Sequence, residues 1–111
     1  PQGNYIRPAD SKPYLVIGEV KYGKPILDRV ITPKVSIGDA SRCALISMDS
    51  TLKSDLTVGP PIDFAVIKKD EIKIASLKCL NMNDPEFSTV CNQWSQGIFK
   101  IFDSFQRFEW E

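Results

Sequence analysis

Histidine is absent from this sequence of 111 residues. Histidine is the usual general base of serine and cysteine hydrolases, a common metal ligand, and the side chain that changes charge near neutral pH. Its absence excludes Ser-His-Asp and Cys-His catalysis, histidine metal sites and histidine pH switches from these residues.

Cysteine is scarce, with only Cys43, Cys79 and Cys91. None has the C-x-x-C spacing that binds zinc or carries out thiol exchange, so we expect neither a metal nor another cofactor. A cysteine nucleophile at Cys43 or Cys91 would lack the histidine that activates it. Unpaired cysteines are typical of small buried residues in a reducing cytosol, which predicts a cytoplasmic protein.

The sequence also lacks an excess of either charge and any long apolar run. Lys and Arg together number 14, as do Asp and Glu. Nucleic acid and anionic lipid require a basic patch, and a membrane span requires about 18 consecutive apolar residues, so we expect no nucleic acid and no membrane as partner. With 42% hydrophobic and 25% charged residues, the chain has the composition of one globular domain.

The first part of the chain predicts a hairpin followed by a helix. Short apolar runs at residues 5–7 and 14–17 predict two strands joined by a polar loop, and Gly18 predicts a turn after the second strand. Apolar residues at helical spacing predict a first helix over residues 22–31.

A second helix is predicted to begin after Ser36. Its hydroxyl is placed to cap the helix, and Asp39 lies three residues further on, where a carboxylate favours the helix dipole. Small and branched residues occupy much of its circumference, so we expect this helix to be largely buried between layers.

A second hairpin is predicted in the middle of the chain. Residues 62–67 are rich in β-branched and aromatic side chains and predict a strand. The polar residues 68–71 predict a turn, and the return strand is expected to run through Ile72 and Ile74 to Leu77.

The last helix is predicted to open at Asp84-Pro85, a capping residue followed by proline at the first helical position. Its apolar stripe consists of Phe87, Val90, Cys91, Trp94, Ile98, Ile101, Phe102 and Phe105. Trp94 lies at the middle of the stripe, and we expect it to be a core anchor. Phe105, Phe108 and Trp110 make an aromatic end that predicts a contact with a partner surface.

Four motifs make the sequence resemble a known family. They are Pro1-Gln2-Gly3-Asn4-Tyr5-Ile6-Arg7, Ile17-Gly18-Glu19-Val20-Lys21-Tyr22-Gly23-Lys24-Pro25-Ile26-Leu27-Asp28-Arg29, Asp49-Ser50-Thr51 and Val58-Gly59-Pro60-Pro61-Ile62-Asp63. Over nearly its whole length, the chain looks like the C-terminal half of Anbu, the bacterial proteasome-like ancestral beta subunit of the N-terminal-nucleophile hydrolase superfamily.

This resemblance implies an α+β fold. It would be part of the proteasome-type four-layer α-β-β-α sandwich, with antiparallel hairpins and three helices in this half. The resemblance also implies that residues 1–111 are the C-terminal fragment of a single proteasome-like domain, in keeping with a chain that opens at Pro1 without an initiator methionine.

Proteasome-type subunits hydrolyse peptide bonds with a threonine exposed as the first residue, helped by a lysine and an aspartate from the N-terminal half. The resemblance therefore implies a threonine peptidase acting on polypeptides in the intact, homo-oligomeric protein. Pro1 has no hydroxyl or thiol, so we expect these 111 residues alone to be inactive and to supply scaffold and subunit contacts, with the N-terminal half as partner. The alternative is a non-enzymatic proteasome-like interaction or assembly domain.

Two segments would support the nucleophile in the intact subunit. Where proteasome subunits have a Gly-Ser-Gly-Ser turn, this sequence has Gly18-Glu19-Val20-Lys21, without the serines. Where they have an aspartate and a serine before a glycine, it has Asp55 and Thr57 before Gly59, with a spacing that differs by one residue. The resemblance assigns a supporting role to Asp55 and Thr57; the alternative is that both only cap the local turn.

Overall fold

The computed structural model describes residues 5–18 and 20–111, and the predictions that concern residues 1–4 and Glu19 lie outside these ranges. The described residues form three helices and one two-stranded antiparallel sheet, which confirms the α+β class. In chain order, the elements are α1 (Lys24–Val30), α2 (Ile37–Ser54), β1 (Ile62–Val66), β2 (Ser76–Leu80) and α3 (Pro85–Asp103).

The two long helices begin at the predicted caps. Ser36 Oγ accepts a hydrogen bond from the Asp39 amide at 3.0 Å. Asp84 Oδ1 accepts one from the Phe87 amide at 3.1 Å, and Pro85 occupies the first turn. Each side chain satisfies an amide that has no partner within its own helix, which is why these starts could be predicted locally.

The sheet is a single hairpin whose return strand begins later than predicted. β1 pairs with β2 in the register Ile62↔Leu80 to Val66↔Ser76. The predicted turn at residues 68–71 is present, but Ile72 and Ile74 lie in the loop and are exposed to solvent. The prediction that the return strand passes through them is therefore wrong, because their side chains have no layer to pack against.

The core lies between the inner face of the hairpin and the helices α2 and α3. Its buried residues are Ile62, Leu80, Phe87 and Cys91, packed against Leu45, Met48, Leu52 and Phe64. Within α2, only Cys43 and Asp49 are buried, and the other residues are half-buried or exposed. The expectation that α2 is largely buried is wrong for the described chain, since helices and sheet cover it on some sides only.

The predicted first hairpin does not form a strand ladder within the described residues. Residues 5–7 are exposed and have no strand partner, and the pairing nearby is an isolated bridge between Ala9 and Lys12. Residues 14–17 run alongside α1 and α2 without entering a sheet. A strand requires a hydrogen-bonded neighbour, so apolar alternation alone was not sufficient for this prediction.

The apolar stripe of α3 is buried at one end of the helix and exposed at the other. Phe87 is 1% exposed, whereas Trp94 is only half-buried. From Ile98 to the aromatic end, the large apolar side chains of the stripe are exposed. The prediction of Trp94 as core anchor is therefore wrong, and Phe87 takes that position.

Candidate functional site

A large apolar cavity separates the extended residues 14–18 from α1 and α2. Its volume is about 650 Å³. Its lining comprises Pro13, Tyr14, Leu15, Val16, Ile17, Gly18, Gly23, Leu27, Ile31, Val35, Ala40, Ala44, Ser47, Met48, Thr51 and Val58. Most of these side chains are aliphatic, so the cavity suits an apolar group and not a charged one.

One end of the extended segment is tied to α1 through Asp28. The Tyr14 hydroxyl donates to Asp28 Oδ1, and Lys24 Nζ lies 2.9 Å from Asp28 Oδ2. Lys12 Nζ also donates to the Asp28 carbonyl oxygen, at 2.6 Å. The hydrogen bond from Tyr14, followed by that from Lys24, lowers the pKa of the Asp28 carboxyl. The segment is therefore anchored by a charged group that stays ionised at neutral pH.

Two glycines shape the other parts of the cavity wall. Gly18 ends the extended segment with φ of +88°, a conformation that glycine adopts at little cost. A Cβ placed on Gly23 would lie 2.3 Å from Ser47 Oγ and 3.2 Å from the Ser47 carbonyl oxygen. Gly23 thus allows the start of α1 to lie directly against α2.

Asp55 and Thr57 form a tight turn after the end of α2. Asp55 Oδ1 accepts from the Thr57 amide at 2.9 Å and from Thr57 Oγ1 at 2.6 Å. Asp55 also caps α2, since its amide donates to the Thr51 carbonyl oxygen at 2.8 Å. Asp55 is half-buried and Thr57 is exposed. This is the capping geometry that the sequence left open as the alternative.

The two predicted site segments meet at the same cavity. Gly18, from the first segment, and Val58, which follows the Asp55–Thr57 turn, both line it. The hydrogen bonds from Thr57 lower the pKa of Asp55, and the charge of Lys21 adds to them in the same direction, so the two turns also interact electrostatically. The two segments predicted from the sequence are therefore neighbours in the fold, and their supporting role in catalysis stays a prediction.

Asp55 is poorly suited to act as a general base that activates Thr57 as a nucleophile. The hydrogen bonds from the Thr57 hydroxyl and amide lower the pKa of Asp55 from its ordinary value of 3.8. A general base works best when its pKa lies near the working pH, and lowering the pKa weakens it. Among the described residues, no group of three or more His, Cys, Asp or Glu side chains could hold a metal ion.

Asp49, from the Asp49-Ser50-Thr51 motif, is a buried carboxylate whose burial was not predicted from the sequence. It is 1% exposed, its Oδ1 has no hydrogen-bond partner, and its Oδ2 lies 3.3 Å from Lys53 Nζ. Burial, followed by the charge of Asp49, raises the pKa of the Cys91 thiol to about 11. The sequence signal that could have predicted the burial of Asp49 is its position among Leu45, Met48 and Leu52, the apolar residues of α2 that pack against the core.

The described fold is that of part of a proteasome-like subunit. Solved structures show which type of proteasome-like subunit the chain resembles. Anbu from Hyphomicrobium sp. strain MC1 is 39% identical over 98% of this chain, with a TM-score of 0.89. Anbu from Yersinia bercovieri, the ancestral beta-subunit, is 39% identical over 97% of the chain, with a TM-score of 0.91. The Anbu complex from Pseudomonas aeruginosa, solved as a helical assembly, is 40% identical over 97%, with a TM-score of 0.88.

These likenesses place the chain in the Anbu family. The chain spans about half the length of the Anbu chains that it matches: 46% of the Yersinia chain and 47% of the Hyphomicrobium chain. No protein-family model matches it, and no curated protein does. None of the helices in the described ranges combines the length and the hydropathy needed to cross a membrane.

Proposed function

We propose that this chain is the scaffold and assembly half of an Anbu-type subunit. In this proposal, the intact protein is a cytoplasmic, homo-oligomeric threonine peptidase that hydrolyses polypeptides. The nucleophilic threonine, its lysine and its aspartate belong to the half of an Anbu subunit that these 111 residues do not span.

The likeness to Anbu carries this proposal. It combines 39–40% identity with TM-scores of 0.88–0.91, and it extends over 97–98% of the chain. A fold alone can host unrelated chemistry, but identity at this level over the whole aligned region supports a shared role.

The Asp55–Thr57 turn supports a passive role for this half in catalysis. The Thr57 hydroxyl donates to Asp55 Oδ1 at 2.6 Å, and this hydrogen bond lowers the pKa of the Asp55 carboxyl. In the intact subunit, the turn would position the segment beside the nucleophile without exchanging protons with the substrate.

The exposed end of α3 and the aromatic residues that follow it support the assembly role. Phe102, Phe105, Phe108 and Trp110 are all exposed, and the Phe108 and Trp110 rings stack at 5.1 Å. Exposed apolar clusters of this kind are typical of protein contacts. A related Anbu complex forms a helical assembly, which favours a second copy as partner.

The same surface favours the second candidate function, a non-enzymatic interaction domain. A proteasome-like scaffold with an aromatic docking surface would need no nucleophile in its intact form. The two candidates differ in peptide hydrolysis and share the ability to assemble.

The three cysteines support the cytoplasmic location. Cys43, Cys79 and Cys91 are free thiols, and Cys43 and Cys91 are buried. Cys79 is exposed, contrary to the expectation that all three are buried small residues. An exposed free thiol persists most readily in a reducing compartment.

A chimera tests the proposed function. The chain replaces the matching half of Yersinia bercovieri Anbu, and the purified chimera is tested by electron microscopy and with fluorogenic peptides. We expect particles of many subunits that hydrolyse peptides, whereas the 111-residue chain alone should hydrolyse none. Assembly without hydrolysis would favour the interaction domain, and a chimera that folds without assembling would contradict both candidates.

A further inference from the structure

An ordered turn at residues 108–111, called here the aromatic turn, carries two exposed aromatic rings. The Phe108 amide donates to Glu111 Oε2 at 2.7 Å, and the Glu111 amide donates to the Phe108 carbonyl oxygen at 3.2 Å. The Phe108 and Trp110 rings stack on each other, yet Phe108 is 64% exposed and Trp110 is 81% exposed. A turn that is already ordered loses little conformational entropy when a partner covers it.

A cleft of about 590 Å³ lies near the start of the described chain. Its lining includes three prolines, Pro8, Pro13 and Pro33, and two charged residues, Arg7 and Asp10. Proline is rigid, so covering it costs little entropy, and it is a recurrent partner of aromatic rings in peptide recognition. This proline cleft therefore suits an aromatic occupant.

The charges of the proline cleft complement those of the aromatic turn. Arg7 lines the cleft, and Lys34 lies between two of its lining residues in the sequence. Within the described residues, neither of these cations has an ion-pair partner. Asp10 is the one acidic residue of the lining, so the cleft has an excess of positive charge. Glu109, between the two aromatic residues of the turn, is likewise unpaired within the described chain.

We propose that the aromatic turn of one copy binds in the proline cleft of a second copy, so that its two rings cover the prolines and Glu109 meets the cations. This contact joins two different surfaces of the same chain and is therefore head-to-tail. The inference deepens the proposed function and rests on it, because it assumes copies of this chain as partners.

Other surfaces of the chain fit the aromatic turn less well. Contact between two aromatic turns would bring Glu109 of both copies together, and like charges at an interface oppose binding. A groove between the first halves of α2 and α3 contains charges that already have partners. Arg42 pairs there with Asp39, and Glu86 pairs with Lys78, each at 2.9 Å. The large aliphatic cavity has no charged residue in its lining.

The fluorescence of Trp110 reports this contact separately from other contacts between copies. The chain has two tryptophans, so the test uses a Trp94→Phe background in which Trp110 is the remaining one. Its emission is recorded over a range of chain concentrations, and sedimentation measures the mass in the same samples. Burial of the indole ring shifts its emission to shorter wavelength.

Charge reversals identify the surface that receives the turn. The cleft variant combines Arg7→Glu with Lys34→Glu. Its matched control combines Lys69→Glu with Lys73→Glu, which makes a similar charge change at two exposed lysines of the hairpin loop. A rescue variant adds Glu109→Lys to the cleft variant.

We expect the emission of Trp110 to shift to shorter wavelength as the mass rises. The cleft variant should weaken this association by about tenfold or more, because the carboxylate of the turn then meets like charges, and the control should leave it nearly unchanged. The rescue variant should recover part of the loss, which damage to the fold by the cleft substitutions would not allow.

Association without a shift of Trp110 emission, equal weakening by the control, or a rescue variant that recovers nothing would overturn this inference and leave the proposed function standing. A chain that stays monomeric at every concentration would also overturn it, while the chimera still decides the proposed function. A shift that requires the part of Yersinia bercovieri Anbu outside the matched region would assign the aromatic turn to that half and overturn the inference as well.

Discussion

Gly23 is the residue at which a single methyl group would disturb the contact between α1 and α2. An added Cβ would lie 2.3 Å from Ser47 Oγ, 3.2 Å from the Ser47 carbonyl oxygen and 3.3 Å from Thr51 Oγ1. The serine hydroxyl can rotate away, but the carbonyl oxygen belongs to the backbone of α2. We therefore expect Gly23→Ala to lower the free energy of unfolding by about 1–3 kcal/mol, measured by denaturant titration.

Gly97→Ala is the matched control, since a Cβ there would meet no atom within 4 Å. Alanine is the better helix former inside α3, so this variant should be as stable as the parent or more so. Adding Ser47→Ala to Gly23→Ala should restore part of the loss. Equal midpoints for the Gly23 and Gly97 variants would show that the contact between α1 and α2 is looser than described.

Asp55 stabilises the turn in its charged form, which makes this contribution sensitive to acid. Hydrogen bonds from the Thr57 hydroxyl and amide lower its pKa in the folded state below 3.8. Such a group contributes fully above its unfolded pKa, and the contribution is lost as the pH falls through the folded pKa. Thr57→Val removes the hydroxyl donor, so the pKa of Asp55 should rise toward 3.8 in an NMR titration.

Ser104→Ala serves as the control for this titration. It also removes a hydroxyl near the end of a helix, but that hydroxyl donates to the Ile101 carbonyl oxygen in α3. The pKa of Asp55 should be the same in this variant as in the parent. An Asp55 titration unchanged by Thr57→Val would mean that the hydroxyl does not stabilise the carboxylate.

At the scale of elements, α3 divides into a buried first half and an exposed second half. Phe87 and Cys91 contact the hairpin and α2, whereas Phe99 and Phe102 face solvent. Lys53 of α2 still reaches Ser95 of α3, with Nζ 3.1 Å from Oγ. The helix therefore serves the fold with its first turns and offers contact surface with its last ones.

Two phenylalanines of α3 test this division. Phe87→Ala should lower the free energy of unfolding by about 3–5 kcal/mol, the cost of truncating a buried aromatic residue. Phe99→Ala, on the exposed side of the same helix, should cost far less, and Trp94→Ala should fall between them. Denaturant titrations measure all three, and equal losses at Phe87 and Phe99 would contradict the division.

At the scale of the whole molecule, apolar residues remain exposed on separate surfaces. Leu15 and Ile17 are exposed beside the cavity, and the aromatic residues that follow α3 are exposed as well, including Trp110 at 81%. A net charge of zero provides little repulsion between copies. Such a molecule is expected to associate with whatever covers these surfaces.

We therefore expect the chain alone to self-associate and to bind a hydrophobic dye. Light scattering should show a mass that rises with concentration. Replacing Phe105 and Phe108 by serine should reduce this mass if the aromatic residues after α3 make the contact, whereas serine at Ile72 should not. A compact monomer at high concentration, without dye binding, would contradict the exposure of these surfaces.

Features that depend on neighbouring residues were determined by the sequence itself. The caps at Ser36 and Asp84 and the polar turn at residues 68–71 form where they were predicted, and Asp55 and Thr57 form the local turn that was the alternative to a supporting role. The two caps and the Asp55–Thr57 turn each depend on a side chain and an amide two or three residues apart. The turn at residues 68–71 depends on a backbone hydrogen bond from the Glu71 amide to the Lys68 carbonyl oxygen, so in every case the local sequence contains both partners. The motifs that resemble Anbu were likewise visible without a structure.

Features that depend on distant parts of the fold were decided by the tertiary structure alone. Residues 14–17 have the pattern of a strand, but no ladder forms in the described chain because a ladder needs a second strand. Trp94 follows the apolar period of α3 and is still half-buried, because periodicity gives the direction of a side chain and not the extent of the layer that covers it. The burial of Asp49 and the cavity between segment and helices depend in the same way on which surfaces meet.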